Sequence, residues 1–332
     1  MILESIYEGT FSPRSHGFRP KRSCHTALLE IKNRFTGVKW FVEGDIKSCF
    51  DNIDHHILVS LLRRRIKDEH FLGLIWKFLK AGYMENWVYH NTLSGTPQGS
   101  GISPILANIY LNEFDKEFEK RGIPLVRYAD DIVLLTKSKR ASERILESSS
   151  RYLEKNLKLK VNKEKSKTVS VFAMQNFKFL GFALGRNGNG IFIRVHAKSW
   201  KKMKQRLKEL SSRRRVQSVI PALKEIEIYM RGWLNYYAVA SMNGNIDTLN
   251  KWLYHRIRMC IWKMWKRPRS RMKYLMKLGV SKELAYMTAN CRRGYWWISN
   301  TLGVKMALTK ERLISKGYYD LSNAYQSMHV NY

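Results

Sequence analysis

The sequence predicts an α+β fold followed by an all-α region. Up to about residue 196, amphipathic helical stretches alternate with short runs rich in Val, Ile, Phe and Trp. That alternation predicts helices packed on a sheet. Two such runs, Leu125–Tyr128 and Ile132–Thr136, are joined by only Ala129-Asp130-Asp131, which predicts an antiparallel hairpin. From Ala197 onward the strand pattern stops. Helical periodicity holds to about Leu278, broken at Pro221, around Asn243-Gly244-Asn245 and at Pro268. The organisation predicted is thus 1–196, 197–290 and a tail over 291–332.

Each element has a local reason. Ser23 can cap a helix to about Phe35 that carries Ala27, Leu28 and Ile31 on one face. Val38–Asp45 reads as a buried strand. Asp54 opens a helix bearing Ile57, Leu58, Leu61 and Leu62, and a second runs from about Glu69 to Ala81 and stops at Gly82. Ser103 as N-cap and Pro104 as first helical residue start a helix through about Lys120. A helix near Ser142–Asn156 follows. Strands are predicted near Leu157–Val161, Thr168–Phe172, Phe177–Ala183 and Ile191–Val195, the last two joined by a turn at Asn187-Gly188-Asn189-Gly190.

Composition narrows the function. The 332 residues are 44% hydrophobic, enough for a core, which excludes a wholly disordered chain. Sixty Lys and Arg against 27 Asp and Glu leave a net charge of +33. A compact fold with that imbalance repels itself unless a polyanion neutralises it, so nucleic acid is the expected partner. The four cysteines, Cys24, Cys49, Cys260 and Cys291, form no CxxC pair, which disfavours a disulfide scaffold or a cysteine zinc site. The histidines form no metal-ligand cluster. No apolar stretch is long enough to span a bilayer, and MILESIYEGT has no signal-peptide pattern. A cytoplasmic protein with no membrane partner is expected.

Two acidic positions stand out. Asp45 ends the strand Trp40–Asp45, and Asp130-Asp131 sit in the hairpin, hugged by Tyr128 and by Ile132-Val133-Leu134-Leu135. A solvent turn rich in Asp does not need apolar residues on both sides. Carboxylates at buried strand ends cost desolvation energy unless paired or bound to metal. Two Mg2+ ions, roughly 3.5–4 Å apart, would remove their mutual repulsion and serve phosphoryl transfer.

These residues carry a resemblance. Tyr128-Ala129-Asp130-Asp131 resembles the catalytic box of reverse transcriptases. His16–Ser23 (HGFRPKRS), Gly44–Asp51 (GDIKSCFD), Gly95–Pro104 (GTPQGSGISP) running into Leu106–Leu111, Val161–Lys167 (VNKEKSK) and Phe179–Phe182 (FLGF) resemble, in order, the motifs of group II intron reverse transcriptases. The likeness is strong over about 5–185. It continues more loosely to Arg231–Tyr237 (RGWLNYY), which resembles the maturase or thumb domain. It implies a right-hand polymerase palm followed by an all-α thumb.

The resemblance also implies roles. Asp45, Asp130 and Asp131 would be catalytic and, with Ile46, would hold two Mg2+ ions. Phe50, five residues past Asp45, would be a steric gate against a 2′-hydroxyl. Gln98 and Gly99 would meet the templating base and nucleotide, Lys165 the departing pyrophosphate, and Arg19 the template or nucleotide phosphates. Phe179, Leu180 and Gly181 would form the primer grip. The partners implied are RNA template, DNA primer, deoxynucleoside triphosphates, intron RNA and target DNA. Residues 198–275 hold 20 Lys and Arg against four Asp and Glu, interleaved with aromatic residues. Cations among flat rings suit structured RNA; Lys201, Lys202, Arg213, Arg214 and Arg231 are the expected contacts. Only 16 residues precede Gly17, so the family's fingers region is expected to be missing, as is a C-terminal HNH nuclease. A short DNA-binding segment is expected in Lys305–Tyr332. Two alternatives stand: a non-enzymatic RNA-binding splicing factor on this scaffold, and the reverse transcriptase of a retron or diversity-generating element. The intact aspartates argue against the first; Arg231–Tyr237 and the Pro-Gln-Gly turn argue against the second.

Overall fold

The computed structural model describes residues 2–34, 37–90, 94–96, 100–187 and 190–329. Gln98 and Gly99 lie outside the described residues. The chain divides into two compact units, Met1–Ile193 and Arg194–Tyr332.

The first unit contains helices α1 (Ile2–Tyr7), α2 (Cys24–Asn33), α3 (His55–Arg63), α4 (Glu69–Lys80), α5 (Ser103–Lys120) and α6 (Lys139–Asn156). Its strands are β1 (Trp40–Asp45), β2 (Tyr83–Glu85), β3 (Val88–His90), β4 (Leu125–Tyr128), β5 (Asp131–Thr136), β6 (Lys167–Ser170), β7 (Phe182–Asn187) and β8 (Gly190–Val195). The central sheet is antiparallel in the order β4-β5-β1-β6; β2-β3 and β7-β8 form separate hairpins. Directly opposite residues share a face. Val42, Ile132, Leu134 and Leu125 therefore bury together against the helices, in one core with Leu58, Leu62, Leu106, Phe114 and Phe118. The opposite face carries Glu43, Asp45 and Asp131.

Several starts follow the sequence signals. Ser23 and Thr26 make a reciprocal capping box on α2. Asp54 accepts from the Ile57 N–H at the head of α3. Other details differ. Ser103 is the first helical residue of α5, and Ile102, with no side-chain cap, is its N-cap. The strand expected near Leu157–Val161 is a single bridge, Ile46 to Val161. The strand expected from Thr168 to Phe172 gives way after Ser170 to a 3-10 segment, Val171–Asn176. The run from Phe177 holds no ladder until Phe182: Phe179 and Phe182 close a tight turn in which Leu180 and Gly181 both have positive φ, the backbone of a two-residue primed turn.

The second unit is helical after the β8 end: α7 (Ala197–Leu210), α8 (Val219–Tyr237), α9 (Asn243–Met264), α10 (Pro268–Lys277), α11 (Lys282–Asn290), α12 (Tyr295–Ile298), α13 (Leu302–Ala307), α14 (Lys310–Ser315) and α15 (Leu321–Met328). Two cores hold it. One joins Leu207, Ile226, Met230 and Leu253 with Leu313, Leu321 and Tyr325; the other joins Trp262, Leu275 and Ala285 with Ile298, Val304 and Leu308. The region from 291 is thus not set apart as a tail. Its helices are too short for periodicity to reveal them, yet they supply side chains to both cores. Among the described residues, no helix is long and apolar enough to cross a membrane.

Candidate active site

The register of the sheet places the acidic residues. Asp45, the last residue of β1, lies directly opposite Asp131, the first of β5. Opposed Cα atoms in such ladders are about 4.5–5.5 Å apart, so two carboxylates share one face at one sheet end. Asp130 precedes them in the two-residue loop between Tyr128 and Asp131. Electrostatics reports the crowding. Desolvation by surrounding protein, then the charges of Asp130 and Asp45, push the Asp131 carboxyl up to about 6, with Lys178 and Lys165 opposing. Asp131 nevertheless keeps an exposed side. Two residues earlier on β1, Glu43 is also raised, chiefly by burial, although the Lys178 N–H and Lys167 oppose that.

The lysine motif lies beside this end. Ser166 Oγ accepts from the Asp45 N–H at 3.2 Å, and the Asn162 N–H donates to the Asp45 carbonyl at 2.9 Å. Those two bonds bring Lys165 Nζ to 3.5 Å from Asp45 Oδ2. Lys167 pairs instead with Glu43, at 3.5 Å. Ile46 is buried next to Asp45. Among the described residues, no group of three His, Cys, Asp or Glu side chains is drawn together tightly enough to hold a metal as it stands. The donor set is nevertheless a hard-oxygen one with excess negative charge, which fits Mg2+.

The loop holding Asp130 is strained and braced. Ala129 has a φ of 55°, a conformation that costs a non-glycine residue about 1–2 kcal/mol. Arg127 holds it there. Its guanidinium donates to the Ala129 carbonyl at 2.9 Å and to Asn108 Oδ1 at 3.0 Å, and grips Asp115 with contacts of 2.6–2.9 Å. Arg127 and Asp115 side chains are both fully buried. Asn108 Nδ2 in turn donates to the Gly17 carbonyl. Gly17 backs directly onto the loop: a Cβ there would stand 2.2 Å from the Ala129 backbone nitrogen. The main chain of 14–16 hydrogen-bonds Arg127 and so covers the β4 edge. Sequence reasoning missed this brace. Its signal is the i, i+4, i+7 spacing of Asn108, Asn112 and Asp115 among the apolar residues of the buried side of α5.

The remaining expected residues fall differently. Phe50 is half-buried and meets Phe18 edge-on, with ring centroids 6.3 Å apart. The Thr96 N–H donates to the Phe50 carbonyl at 2.7 Å, and Gly95 packs on the Asp51 backbone, so the segment leading to Gln98 is tied to the Asp45 loop. Arg19 corrects the expectation. All five of its N–H donors go to Glu8, Ser12 and Ser15, and its side chain is 6% exposed. A guanidinium saturated in this way has no donor left for a phosphate, so Arg19 fixes the Glu8–Ser15 segment rather than a nucleotide. Phe179 is buried beside Phe177, leaving Leu180 and Gly181 at the turn. In the second unit Lys201, Lys202, Arg213 and Arg214 are exposed, and Met203, Leu207 and Leu210 of α7 face the core. Arg231 is spent locally, paired with Glu227 at 2.6 Å and laid over Tyr319.

Comparison with known proteins decides the family. Residues 1–184, more than half the chain, match the family described as reverse transcriptase (RNA-dependent DNA polymerase). The chain belongs to the reverse transcriptase family. Residues 200–279 of this reverse transcriptase match the family described as group II intron, maturase-specific domain. It is 66% identical over 116 residues to the group II intron-encoded protein LtrA of Lactococcus lactis, covering 35% of this chain and 19% of that protein. It is 36% identical over 225 residues to protein YkfC of Escherichia coli, covering 56% of this chain and 58% of the other. A 91 kDa protein in the cob intron of Schizosaccharomyces pombe is 51% identical over 134 residues, 38% of this chain and 16% of its own. In each case the chain spans less than two thirds of the relative. A Candida albicans telomerase structure aligns over 99% of this chain and 55% of its own at TM-score 0.49 and 14% identity, too loose a likeness to bear on function.

Asp131 yields a pH prediction. Its folded pKa, about 6, lies above the ordinary carboxylate value. Between those values the folded chain binds a proton that the unfolded chain does not, so stability falls as pH rises through that window. Thermal melts of Asp131→Asn should show a flatter profile from about pH 4 to pH 6 than the parent. Identical profiles would contradict the crowding.

Proposed function

We propose that this reverse transcriptase is an RNA-directed DNA polymerase that also binds group II intron RNA and assists its splicing and mobility. The observation that carries the first half is the register of Asp45 opposite Asp131, with Asp130 in the adjoining loop. Asp45, Asp130, Asp131 and the main-chain carbonyl of Ile46 would hold two Mg2+ ions. Bound Mg2+ supplies an activated primer 3′-hydroxyl and charge neutralisation for in-line displacement of pyrophosphate.

The protein's own groups do the rest. Arg127, Asn108 and Gly17 keep Asp130 at a fixed place relative to Asp45. Lys165, already against Asp45, is placed to offset charge on the leaving pyrophosphate. The half-buried ring of Phe50, backed by Phe18, would occupy the space of a 2′-hydroxyl and favour deoxynucleotides. Gln98 and Gly99 would line the template side, and the Leu180-Gly181 turn would touch the primer. The test is extension of a DNA primer on an RNA template with Mg2+. Incorporation of deoxynucleotides supports the reading; a folded chain that binds template but adds none would sink it.

The second half rests on the exposed cations of the second unit. A protein neutralising six to ten phosphates loses about 10³–10⁵ in affinity between 50 and 200 mM salt. Charge reversal of Lys201, Lys202, Arg213 and Arg214 should weaken intron RNA binding and flatten that dependence. An unchanged slope in the folded quadruple variant would show that these four face away from the RNA. Target DNA is the remaining partner of this reading.

A further inference from the structure

The second unit contains a cavity of about 500 Å³ between α9, α10 and the α11–α12 segment, lined by residues that include Trp262, Arg271, Asn290, Arg292, Arg293 and Tyr295. That volume lies within the range of about 300–1,000 Å³ of small-ligand sites. Two of the lining residues carry a buried donor without a partner, Trp262 Nε1 and Arg271 Nε. Trp262 itself is fully buried. Buried donors are normally satisfied, and an orphan calls for an acceptor.

The charge on the wall is equally unanswered. No carboxylate lines the cavity. Among the described residues, Arg271, Arg292 and Arg293 take part in no ion pair, whereas Arg206, Arg215 and Arg231 in the same unit each have a glutamate. Two of these guanidiniums lie over rings instead: Arg271 is 4.8 Å from the Trp262 centroid and 5.7 Å from that of Tyr295, and Arg293 is 4.3 Å from that of Trp297. Stacking leaves the in-plane N–H groups of an arginine free to meet phosphate. Next in sequence to the lining residue Tyr295, Trp296 and Trp297 are 44% and 48% exposed. Water could satisfy the two orphan donors but would not neutralise three cations.

We propose that this cavity receives one unpaired nucleotide of a nucleic-acid strand, its phosphate held by Arg271 and Arg292 and its base stacked on the part-exposed aromatics of Tyr295–Trp297. The proposal rests on the reading of this unit as nucleic-acid-binding, and it adds a shaped site whose wall from Ala289 to Ile298 lies beyond the matched maturase segment. Phosphate and base are common to RNA and DNA, so the experiment separates the two.

The test uses the full chain and a 12-nucleotide unstructured strand, as RNA with one 4-thiouridine or as DNA with one 4-thiothymidine. Photo-crosslinks are expected on the peptides carrying Trp262 or Tyr295–Trp297; the strand that crosslinks there identifies the source. Arg292→Gln combined with Arg293→Gln, both exposed positions, should weaken binding of that strand tenfold or more with an unchanged melt. Lys251→Gln with Lys316→Gln removes equal charge from exposed sites off the cavity and should cost distinctly less. Arg271→Gln is a further variant; should it fail to fold, the exposed pair and the crosslinks still decide. Crosslinks only elsewhere, parental affinity in the folded double variant, or an equal loss in the lysine control would overturn the proposal. Primer extension assayed in parallel keeps the two readings apart. A chain that extends primers without crosslinking at the cavity loses only this site. A chain that crosslinks there without extending loses only the polymerase reading.

Discussion

Asp130→Asn should lower RNA-templated primer extension by about 10³-fold or more, because losing a metal-holding carboxylate removes several kcal/mol of transition-state stabilisation. RNA affinity should stay nearly unchanged, since the cations expected to meet RNA lie in the second unit. The substitution keeps the side chain's shape and removes one of the charges that raise Asp131. The variant should therefore melt no lower than the parent, and the Asp131 carboxyl should titrate closer to its ordinary value. Lost activity in a well-folded variant separates chemistry from stability. Extension at the parental rate would refute the assignment of Asp130.

The acidic end of the sheet was legible because apolar runs and turn spacing are local. Asp45 closes an apolar run and Asp131 opens one, which marks both as strand ends; the antiparallel register that sets them opposite one another is a pairing of distant segments. Which lysine of Val161–Lys167 lies by Asp45 was not legible: Lys165 is brought there by the Asn162 N–H on the Asp45 carbonyl and by Ser166 Oγ accepting from the Asp45 N–H, contacts that span more than 115 positions. Arg19 misled for the opposite reason. Beside Pro20 and ahead of a capped helix it reads as a surface cation, yet its acceptors, Glu8, Ser12 and Ser15, come from an irregular segment with no periodic pattern. The brace behind Ala129 was visible only as polar residues at helical spacing within α5, a pattern that sequence reading treats as part of the motif around it. In the second unit, long helices such as α8 and α9 announce themselves. Elements of four to nine residues after Lys277 do not, because a stripe needs about two turns to show.

That brace carries the other large expected effect. Arg127→Met leaves Asp115 fully buried without its cation and strips the Ala129 carbonyl of its donor. Breaking a buried ion pair from one side costs about 3–5 kcal/mol. For a unit of this size, that corresponds to a melting-temperature drop of roughly 6–20 °C. Burial already raises the Asp115 carboxyl, with the guanidinium opposing, so the orphaned acid should take up a proton and limit the loss at low pH. Adding Asp115→Leu removes the uncompensated charge, and stability should recover by most of that amount. Activity should not recover with it. In the double variant the Ala129 carbonyl loses its Arg127 donor, the left-handed backbone at Ala129 loses its anchor, and Asp130 loses its fixed place beside the Asp45–Asp131 pair. Primer extension should therefore stay low in a protein that melts near the parent, mostly as a fall in kcat with KM for the nucleotide little changed. Recovery of extension together with stability would show that the pair only fills the core, and that Gly17 and the hairpin alone fix the loop.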